Sequence, residues 1–169
     1  MENKRHTIRL YHRNYSRPGY YFVTIDTFKH EFIFGDIKDN IFISNTVGTI
    51  IDKWINYLPT RYPEIYIDCY QLMPNHMHLI ILIKGNFFGK TICVRANYDS
   101  PTHNHRQLLP QVIGYFKMNT AKEIMGKSLL KTEKVWLRNY YEHIIRNKKE
   151  LLAYRYYVKN NPKNWFFNK

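Results

Sequence analysis

Two histidines at alternate positions are the first residues in this sequence whose spacing suggests chemistry. His76 and His78 flank Met77 in a stretch that is otherwise apolar and rich in isoleucine. Successive side chains of a β-strand point to opposite faces, so both imidazoles would project side by side from one face. Paired imidazoles among apolar neighbours are typical of a metal site, although surface histidines or hydrogen-bonded core histidines would give the same spacing.

A phenol and an amide four residues apart form a second candidate group near the end of the chain. Tyr157 and Asn161 are separated by one helical turn, so both side chains could reach one site. Pro162 disfavours helical geometry at Asn161 and predicts that the helix ends there. The same stretch could instead be an ordinary core-facing stripe, shared with Leu151 and Val158, followed by an ordinary helix stop.

Other potential ligands in the sequence are weaker candidates. A second His-x-His, formed by His103 and His105, lies in the polar and loop-like segment 85–107. We predict that it does not bind metal, because no strand or further ligand accompanies it. Cys69 and Cys93 are too few for a disulfide framework and do not suggest a cysteine-ligated zinc site.

Hydrophobic periodicity predicts the elements that must position these groups. The predicted strands and extended segments are 20–27, 64–73, 76–84 and 136–145, with a loop or small hairpin at 31–43. The first predicted helix is 45–58, capped by Ser44 and ended near Pro59, and the second is 108–125. The last predicted helix starts at Asn147, with Glu150 completing a capping box, and stops around Asn161-Pro162.

This order of elements, β-α-β-β-α-β-α with antiparallel neighbours, predicts an α+β fold. We expect an antiparallel sheet with helices packed on one face, in a ferredoxin-like sandwich. At 169 residues the chain is predicted to be one domain, 1–169, with a basic N-terminal arm at 1–17. The segment 85–107 is predicted to be a functional flap or a local insertion.

The charge balance favours a polyanionic partner. The chain has 26 Lys and Arg against 13 Asp and Glu, a formal net charge of +13. The excess lies at the two ends: segment 18–116 is balanced, whereas 1–17 and 117–169 are strongly basic. Aromatic residues interleave with these charges and could stack on unpaired bases. The alternative is a basic surface that serves only solubility.

Several classes of function are not indicated by the sequence. There is no apolar run of 18 or more residues and no apolar signal-peptide segment after the polar N-terminus. We therefore expect a cytoplasmic, nucleoid-associated protein without a membrane partner. No P-loop pattern is present, so no nucleotide cofactor is expected.

Four motifs in a fixed order carry a resemblance to a known family. They are YYFVT at 20–24, MPNHMHL at 73–79, YYEHIIRN at 140–147 and YVKNNPKNW at 157–165. Together they span nearly the whole chain. On these motifs the sequence resembles the REP-associated tyrosine transposases, which are single-tyrosine HUH transposases related to the insertion-sequence 200/605 transposases.

The resemblance implies an HUH endonuclease-like fold and a role for each candidate residue. His76 and His78 would be metal ligands, Asn161 the third ligand, and Mg²⁺ or Mn²⁺ the ion. Tyr157 would be the catalytic nucleophile that attacks DNA and forms a 5′-phosphotyrosine intermediate. If Tyr157 were buried, Tyr154 would be the geometric substitute.

The implied substrate is single-stranded or hairpin DNA made of palindromic repeats, which the enzyme would cleave and rejoin. The candidate DNA-binding cations are Arg5, Arg9, Arg13, Arg17, Lys117, Arg146, Arg155 and Lys159. Arg155 and Lys159 could also favour the phenolate of Tyr157, or could be ordinary solvated helix charges. His143 is expected to support the site.

Two other functions are compatible with the same residues. One is a domesticated relative that holds hairpin DNA or RNA without cutting it. The other is a ferredoxin-like structural or RNA-associated protein with incidental histidines, which a structure with His76 and His78 on opposite sides of the sheet would favour. The sequence leaves open the repeat, the metal used in the cell, and whether the protein is a monomer or a homodimer.

Overall fold

The computed structural model of this protein describes residues 17–85 and 107–165, which form a four-stranded sheet, a two-stranded sheet and three α-helices. The strands are β1 (Gly19–Asp26), β2 (Gly35–Lys38), β3 (Ile41–Ser44), β4 (Ile65–Met73), β5 (His76–Ile83) and β6 (Tyr141–Ile145), and the helices are α1 (Thr46–Arg61), α2 (Leu108–Gly126) and α3 (Lys148–Asn164). The predicted α+β class is confirmed. No helix within these described ranges has the length and apolar character needed to cross a bilayer.

The main sheet has four antiparallel strands in the order β4-β5-β1-β6. Pro74 and Asn75 turn the chain tightly from β4 into β5, as their turn chemistry predicts. The register of β1 against β5 places Thr24 opposite His78 and Asp26 opposite His76. The two histidines thus lie where the middle and the end of β1 meet the start of β5.

Both faces of this sheet are covered. Tyr21, Val23 and Ile25 of β1 belong to the larger core, which also contains the buried faces of α1 and α2. Phe22 and Ile80 point the other way and form a smaller core with residues of α3. The expectation that the helices pack on one face therefore holds for α1 and α2, whereas α3 covers the opposite face.

Asparagine side chains start two of the helices. Asn45 is the N-cap of α1, where its Oδ1 accepts a hydrogen bond from the Gly48 amide at 3.0 Å. The prediction of Ser44 as the cap is therefore wrong by one residue. Asn147 caps α3 as predicted, and its Oδ1 accepts from the Glu150 amide at 2.8 Å.

Both prolines that were predicted to end helices lie inside them. Pro59 is in the last turn of α1, which continues to Arg61, and Pro162 is in the last turn of α3. A proline in a helix removes one backbone hydrogen bond. Near a C-terminus that loss is limited to one turn, and Pro162 is itself buried.

The segment predicted as a loop or small hairpin is a hairpin, in which β2 pairs with β3. Asp39 and Asn40 connect the strands with φ values of 51° and 61°. Positive φ at both central residues is the geometry of a tight hairpin turn, and Asp and Asn are among the residues that tolerate it. The predicted arm 1–17 and insertion 85–107 lie, except for their boundary residues, outside the described residues.

Candidate active site

The two histidines of β5 face each other on the side of the sheet that α3 covers. Nε2 of His76 lies 3.1 Å from Nε2 of His78. The ring centroids are 4.6 Å apart, with planes at 70°. The imidazoles thus project from one face, as the alternation of a strand requires. They do not lie on opposite sides of the sheet, the arrangement that would have favoured incidental histidines.

The outer nitrogen of each ring has a polar partner. Nδ1 of His76 lies 2.7 Å from Oδ1 of Asn75, and Nδ1 of His78 lies 2.8 Å from Oγ1 of Thr24. An amide oxygen only accepts, so His76 donates its Nδ1 proton to Asn75 and keeps a lone pair on Nε2. Metal-binding histidines are usually oriented in this way by a partner on the second nitrogen.

Both rings are held in the neutral form. Burial, together with the smaller effect of the neighbouring His76, lowers the pKa of His78 to about 3. Burial also lowers the pKa of His76, an effect that the charge of Asp26 partly offsets. Neutral imidazoles can bind a cation directly, whereas imidazolium rings cannot.

Tyr157 of α3 reaches the same point from above the sheet. Its hydroxyl lies 3.4 Å from Nε2 of His78, and the two ring centroids are 5.1 Å apart. The side chain is 43% exposed, so it is open to a substrate. The condition under which Tyr154 would replace it, burial of Tyr157, is therefore not met. Tyr156, the next residue back, is 71% exposed and points away into solvent.

Asn161 lies one turn beyond Tyr157 on α3 and is 5% exposed. Residues 17–85 and 107–165 contain no group of three or more His, Cys, Asp and Glu side chains that could hold a metal. The predicted ligands, His76, His78 and Asn161, would not count as such a group, because the third is an amide side chain.

The spacing of the two imidazoles fits an octahedral ion. Two ligands at right angles, each about 2.1 Å from a metal, are about 3 Å apart. The observed separation of 3.1 Å between the Nε2 atoms matches this value. The donor chemistry and the spacing of His76 and His78 therefore suit a divalent cation.

A cavity of about 450 Å³ is lined in part by Tyr157. Its floor is made by Phe22, Thr24 and His78 of the sheet. Phe22 stacks beside His78, with centroids 5.4 Å apart and planes at 25°. The floor therefore joins the candidate metal ligands to an aromatic surface.

The walls of this cavity come from β6 and α3. Tyr141 lies on the β6 side, and Ala153, Tyr154 and Tyr157 lie on the helix. Tyr154 stacks on Phe22 with centroids 4.5 Å apart. Burial raises the pKa of Tyr154, and the neighbouring Tyr141 adds to this effect. All three phenol rings thus converge around one opening.

Two of the predicted DNA-binding cations are engaged within the protein. Arg155 forms a bidentate ion pair with Asp68 of β4, with Nε 2.8 Å from Oδ2. The ammonium group of Lys117 donates to the carbonyl oxygens of residues 137–139, including that of Leu137 at 2.5 Å. These contacts give both side chains structural roles.

Three other predicted cations are exposed. Arg17, Arg146 and Lys159 lie on the surface, and Lys159 is two residues after Tyr157. Arg5, Arg9 and Arg13 lie outside the described residues.

His143 is connected to the site through Tyr154. Its Nε2 lies 2.5 Å from Oε1 of Glu150, and its ring centroid is 5.3 Å from that of Tyr154. Glu150 also accepts a hydrogen bond from the amide of Arg146 at 2.7 Å. His143 therefore ties β6 to the first turn of α3 and flanks the tyrosine wall.

The sequence pattern assigns no role to Thr24 or Asn75, and it suggests Trp165 only as an aromatic that could stack on unpaired bases. The ring of Trp165 lies 5.9 Å from that of His76. Asn75 adjoins His76 in the chain and could have been noticed as its partner. Thr24 is separated from His78 by 54 positions, so only the strand register reveals their contact.

A relative by sequence is found in Haemophilus influenzae (strain ATCC 51907 / DSM 11121 / KW20 / Rd). This uncharacterized protein is 35% identical over 164 residues, which cover 95% of the present chain and 89% of the relative. No protein-family profile matches the chain.

Two solved structures share the fold. A REP-associated tyrosine transposase bound to a REP hairpin aligns with a TM-score of 0.60 at 18% identity, covering 93% of this chain and 74% of the other. A candidate transposase from Deinococcus radiodurans R1 aligns with a TM-score of 0.51 at 13% identity, covering 88% of this chain and 95% of the other. At these identities the likeness concerns the fold.

Proposed function

The chain belongs to one family with the Haemophilus influenzae protein and has the fold of a REP-associated tyrosine transposase, and from this we propose that it cleaves and rejoins single-stranded DNA. In this proposal Tyr157 is the nucleophile, and His76, His78 and Asn161 hold a divalent cation, Mg²⁺ or Mn²⁺. The reaction is DNA transposition of the HUH type.

One observation supports this function above the others. The Tyr157 hydroxyl lies 3.4 Å from Nε2 of His78, which lies 3.1 Å from Nε2 of His76. A nucleophile and two neutral imidazoles thus come from distant parts of the chain to one point. If the histidines were incidental to a structural protein, this convergence of the three groups would not be expected.

The chain's own residues would orient the reacting groups. Thr24 and Asn75 fix the two imidazoles, so that both Nε2 atoms point at the same position. A bound divalent cation would polarise the scissile phosphate and offset charge on the leaving oxygen. The rigid helix α3 would hold the phenol oxygen of Tyr157 in line with that phosphate.

The transfer exchanges one phosphate ester for another. The phenol oxygen forms a bond to phosphorus, the bond to the 3′ oxygen breaks, and the 5′ phosphate becomes joined to Tyr157. The phenol loses its proton to solvent, and the leaving 3′ oxygen takes one up as a hydroxyl. Since the ester energy is kept, a 3′ hydroxyl of another strand can reverse the reaction without a nucleotide cofactor.

We propose hairpin DNA formed by palindromic repeats as the substrate. The fold relative was solved with a REP hairpin, and the present chain has a net charge of +13. Arg146 and Lys159 are exposed cations on the β6 and α3 side, where the single-stranded flank of a hairpin would approach Tyr157. Arg5, Arg9, Arg13 and Arg17 are proposed to contribute from the N-terminal arm.

Formation of a covalent adduct tests the proposed reaction. The full chain is incubated with single-stranded oligonucleotides that carry the palindromic repeats of its own genome, with Mn²⁺, and separated on a denaturing gel. The wild type is expected to give a protein–DNA adduct, and a chelator is expected to abolish it. Tyr157→Phe should form none, whereas the matched Tyr156→Phe, altered at an exposed neighbour, should keep it.

Two results would contradict the proposal in different ways. An adduct in Tyr157→Phe would show that another residue is the nucleophile. Tight, metal-independent binding of the hairpin with no adduct in any condition would instead favour the domesticated relative that binds hairpin DNA or RNA without cutting.

A further inference from the structure

The cavity beside Tyr157 has no role in the proposed attack of the phenol on phosphorus. It is about 450 Å³, within the range of about 300–1,000 Å³ that small-molecule sites occupy. A single nucleobase with its sugar is the part of a DNA strand that this space could hold. A base inside a duplex could not reach the buried floor, so an occupant must be unpaired.

The lining of the cavity is rich in aromatic rings, which suits a flat aromatic ligand. Tyr141 and Tyr157 both stand at a steep angle to the ring of Phe22, with planes at 67° and 73° and centroids 6.4 Å and 6.0 Å away. Both tyrosines are exposed, so their rings have surface to offer a ligand. The arrangement resembles a slot, with Phe22 as the floor and phenol rings rising beside it.

A small residue keeps this slot open. Ala153 is exposed and lines the cavity from α3, one turn before Tyr157. Any larger side chain at this position would extend into the opening. The neighbouring Leu152 is 53% exposed and does not line the cavity, so it provides a matched position for a control.

We infer that the cavity binds one unpaired nucleobase, belonging to a nucleotide joined to the scissile phosphate. The inference rests on the proposed function, because Tyr157, whose hydroxyl would attack the phosphate, also lines the cavity. Stacking on the phenol rings would hold the base, and their hydroxyl groups would contact its polar edge. The captured base would set the position of the phosphate before Tyr157.

A binding assay without metal separates this site from the cleavage reaction. The probe is a short oligothymidylate that carries one 2-aminopurine, whose fluorescence falls when it stacks on an aromatic ring. Wild-type protein is expected to quench it and to bind a version with an abasic residue at that position more weakly. Ala153→Phe should bind the probe at least about tenfold more weakly, the loss expected for one stacked base. Leu152→Phe should bind like the wild type.

Tyr141→Ala gives an independent check, because it removes a wall instead of filling the space. It should also weaken binding and reduce quenching, and thermal melts would verify that both variants fold. Equal quenching by wild type, Ala153→Phe and Tyr141→Ala, or no quenching by the wild type, would overturn the inference.

The adduct assay distinguishes failure of this site from failure of the proposed function. If Ala153→Phe forms the covalent adduct at the wild-type rate, the nucleobase site is wrong and the enzyme stands. If the wild type quenches the probe but never forms an adduct with its genomic repeats, the enzyme is wrong and the nucleobase site stands.

Discussion

Thr24 is a small residue with a defined task in the proposed site. Its hydroxyl lies 2.8 Å from Nδ1 of His78 and is the polar partner of that nitrogen. Without this contact the ring could rotate, and Nε2 would no longer face His76. Partners of metal-binding histidines typically contribute about 10- to 100-fold to metal affinity or activity.

We therefore expect Thr24→Val, which keeps the shape but removes the hydroxyl, to raise the Mn²⁺ concentration needed for half-maximal adduct formation by about tenfold or more. Titration of Mn²⁺ in the adduct assay measures this shift. Thr24→Ser keeps an oxygen at the same place and should restore the wild-type value. A Val variant with an unchanged Mn²⁺ requirement would mean that the contact does not orient His78.

At this scale the sequence reveals residue types better than their partners. The alternation of His76 and His78 predicts a shared face because the strand geometry is local. The contact of Thr24 with His78 depends on the register of β1 against β5, which no local pattern defines. The exposure of Tyr157, as against the stacking of Tyr154 on Phe22, likewise depends on how α3 lies on the sheet.

Helix α3 is held to the edge of the sheet by an ion pair. Arg155 contacts Asp68 of β4 through two hydrogen bonds, and the Asp68 side chain is 8% exposed. Removing the guanidinium would leave a largely buried carboxylate without this partner. The free energy of unfolding should then fall by about 1–3 kcal/mol.

We expect Arg155→Gln to lower the melting temperature while the affinity for single-stranded DNA changes little. Thermal melts and fluorescence anisotropy measure the two effects separately. The opposite result, an intact melting temperature with weakened DNA binding, would support the first expectation that Arg155 contacts DNA.

Glu123 joins the other two helices. Its carboxylate accepts hydrogen bonds from Lys53 and Trp54 of α1, and from Lys127 at 2.9 Å. The bond from Lys53, followed by that from Lys127, lowers the pKa of Glu123 from the ordinary 4.5 to about 2. A carboxyl whose pKa is lower in the folded state stabilises the fold above pH 4.5, and this contribution is lost as the pH falls towards 2.

Glu123→Gln should therefore destabilise the protein at pH 7 by about 1–2 kcal/mol. The difference from wild type should shrink below pH 4.5 and be lost as the pH falls through about 2, where the Glu123 carboxyl becomes protonated in the folded state. Denaturant titrations at several pH values measure it. Glu133→Gln, at an exposed position, serves as the control. A stability difference between Glu123→Gln and the wild type that did not change with pH would contradict the low pKa of Glu123.

Most elements follow from the sequence, but the placement of α3 does not. Hydrophobic periodicity indicates which side of a helix is apolar, but it does not indicate which face of a sheet that helix packs against. A signal was nevertheless present in β5, where Leu79, Ile80 and Ile81 are consecutive and all buried. Such a run indicates a strand covered on both faces, so a helix on each side was the better expectation.

The net positive charge of the molecule should make its affinity for DNA depend on the salt concentration. Each phosphate contact with single-stranded DNA adds about 0.7 to the slope of log affinity against log salt concentration. Lys159 is exposed beside Tyr157, whereas Lys117 is held by carbonyl oxygens of residues 137–139.

We expect Lys159→Gln to weaken binding and to reduce the slope by about 0.7. Lys117→Gln removes the same charge and should leave the slope unchanged while it lowers the melting temperature. Anisotropy titrations over a range of salt concentrations measure both slopes. Equal slopes for Lys159→Gln and the wild type would remove Lys159 from the DNA-binding surface.

The two faces of the sheet are unequal in what they bury. Among the described residues, the α1 and α2 side holds a large core, whereas the α3 side has a cluster of five buried apolar residues: Phe22, Ile80 and Ile145 of the sheet, and Leu151 and Val158 of α3 itself. The helix that carries Tyr157, the proposed nucleophile, should therefore detach at a smaller free-energy cost than the rest of the protein needs to unfold. Mild denaturant would then abolish the proposed DNA cleavage while most of the helix and sheet structure persists, so the proposed activity would be lost before the fold.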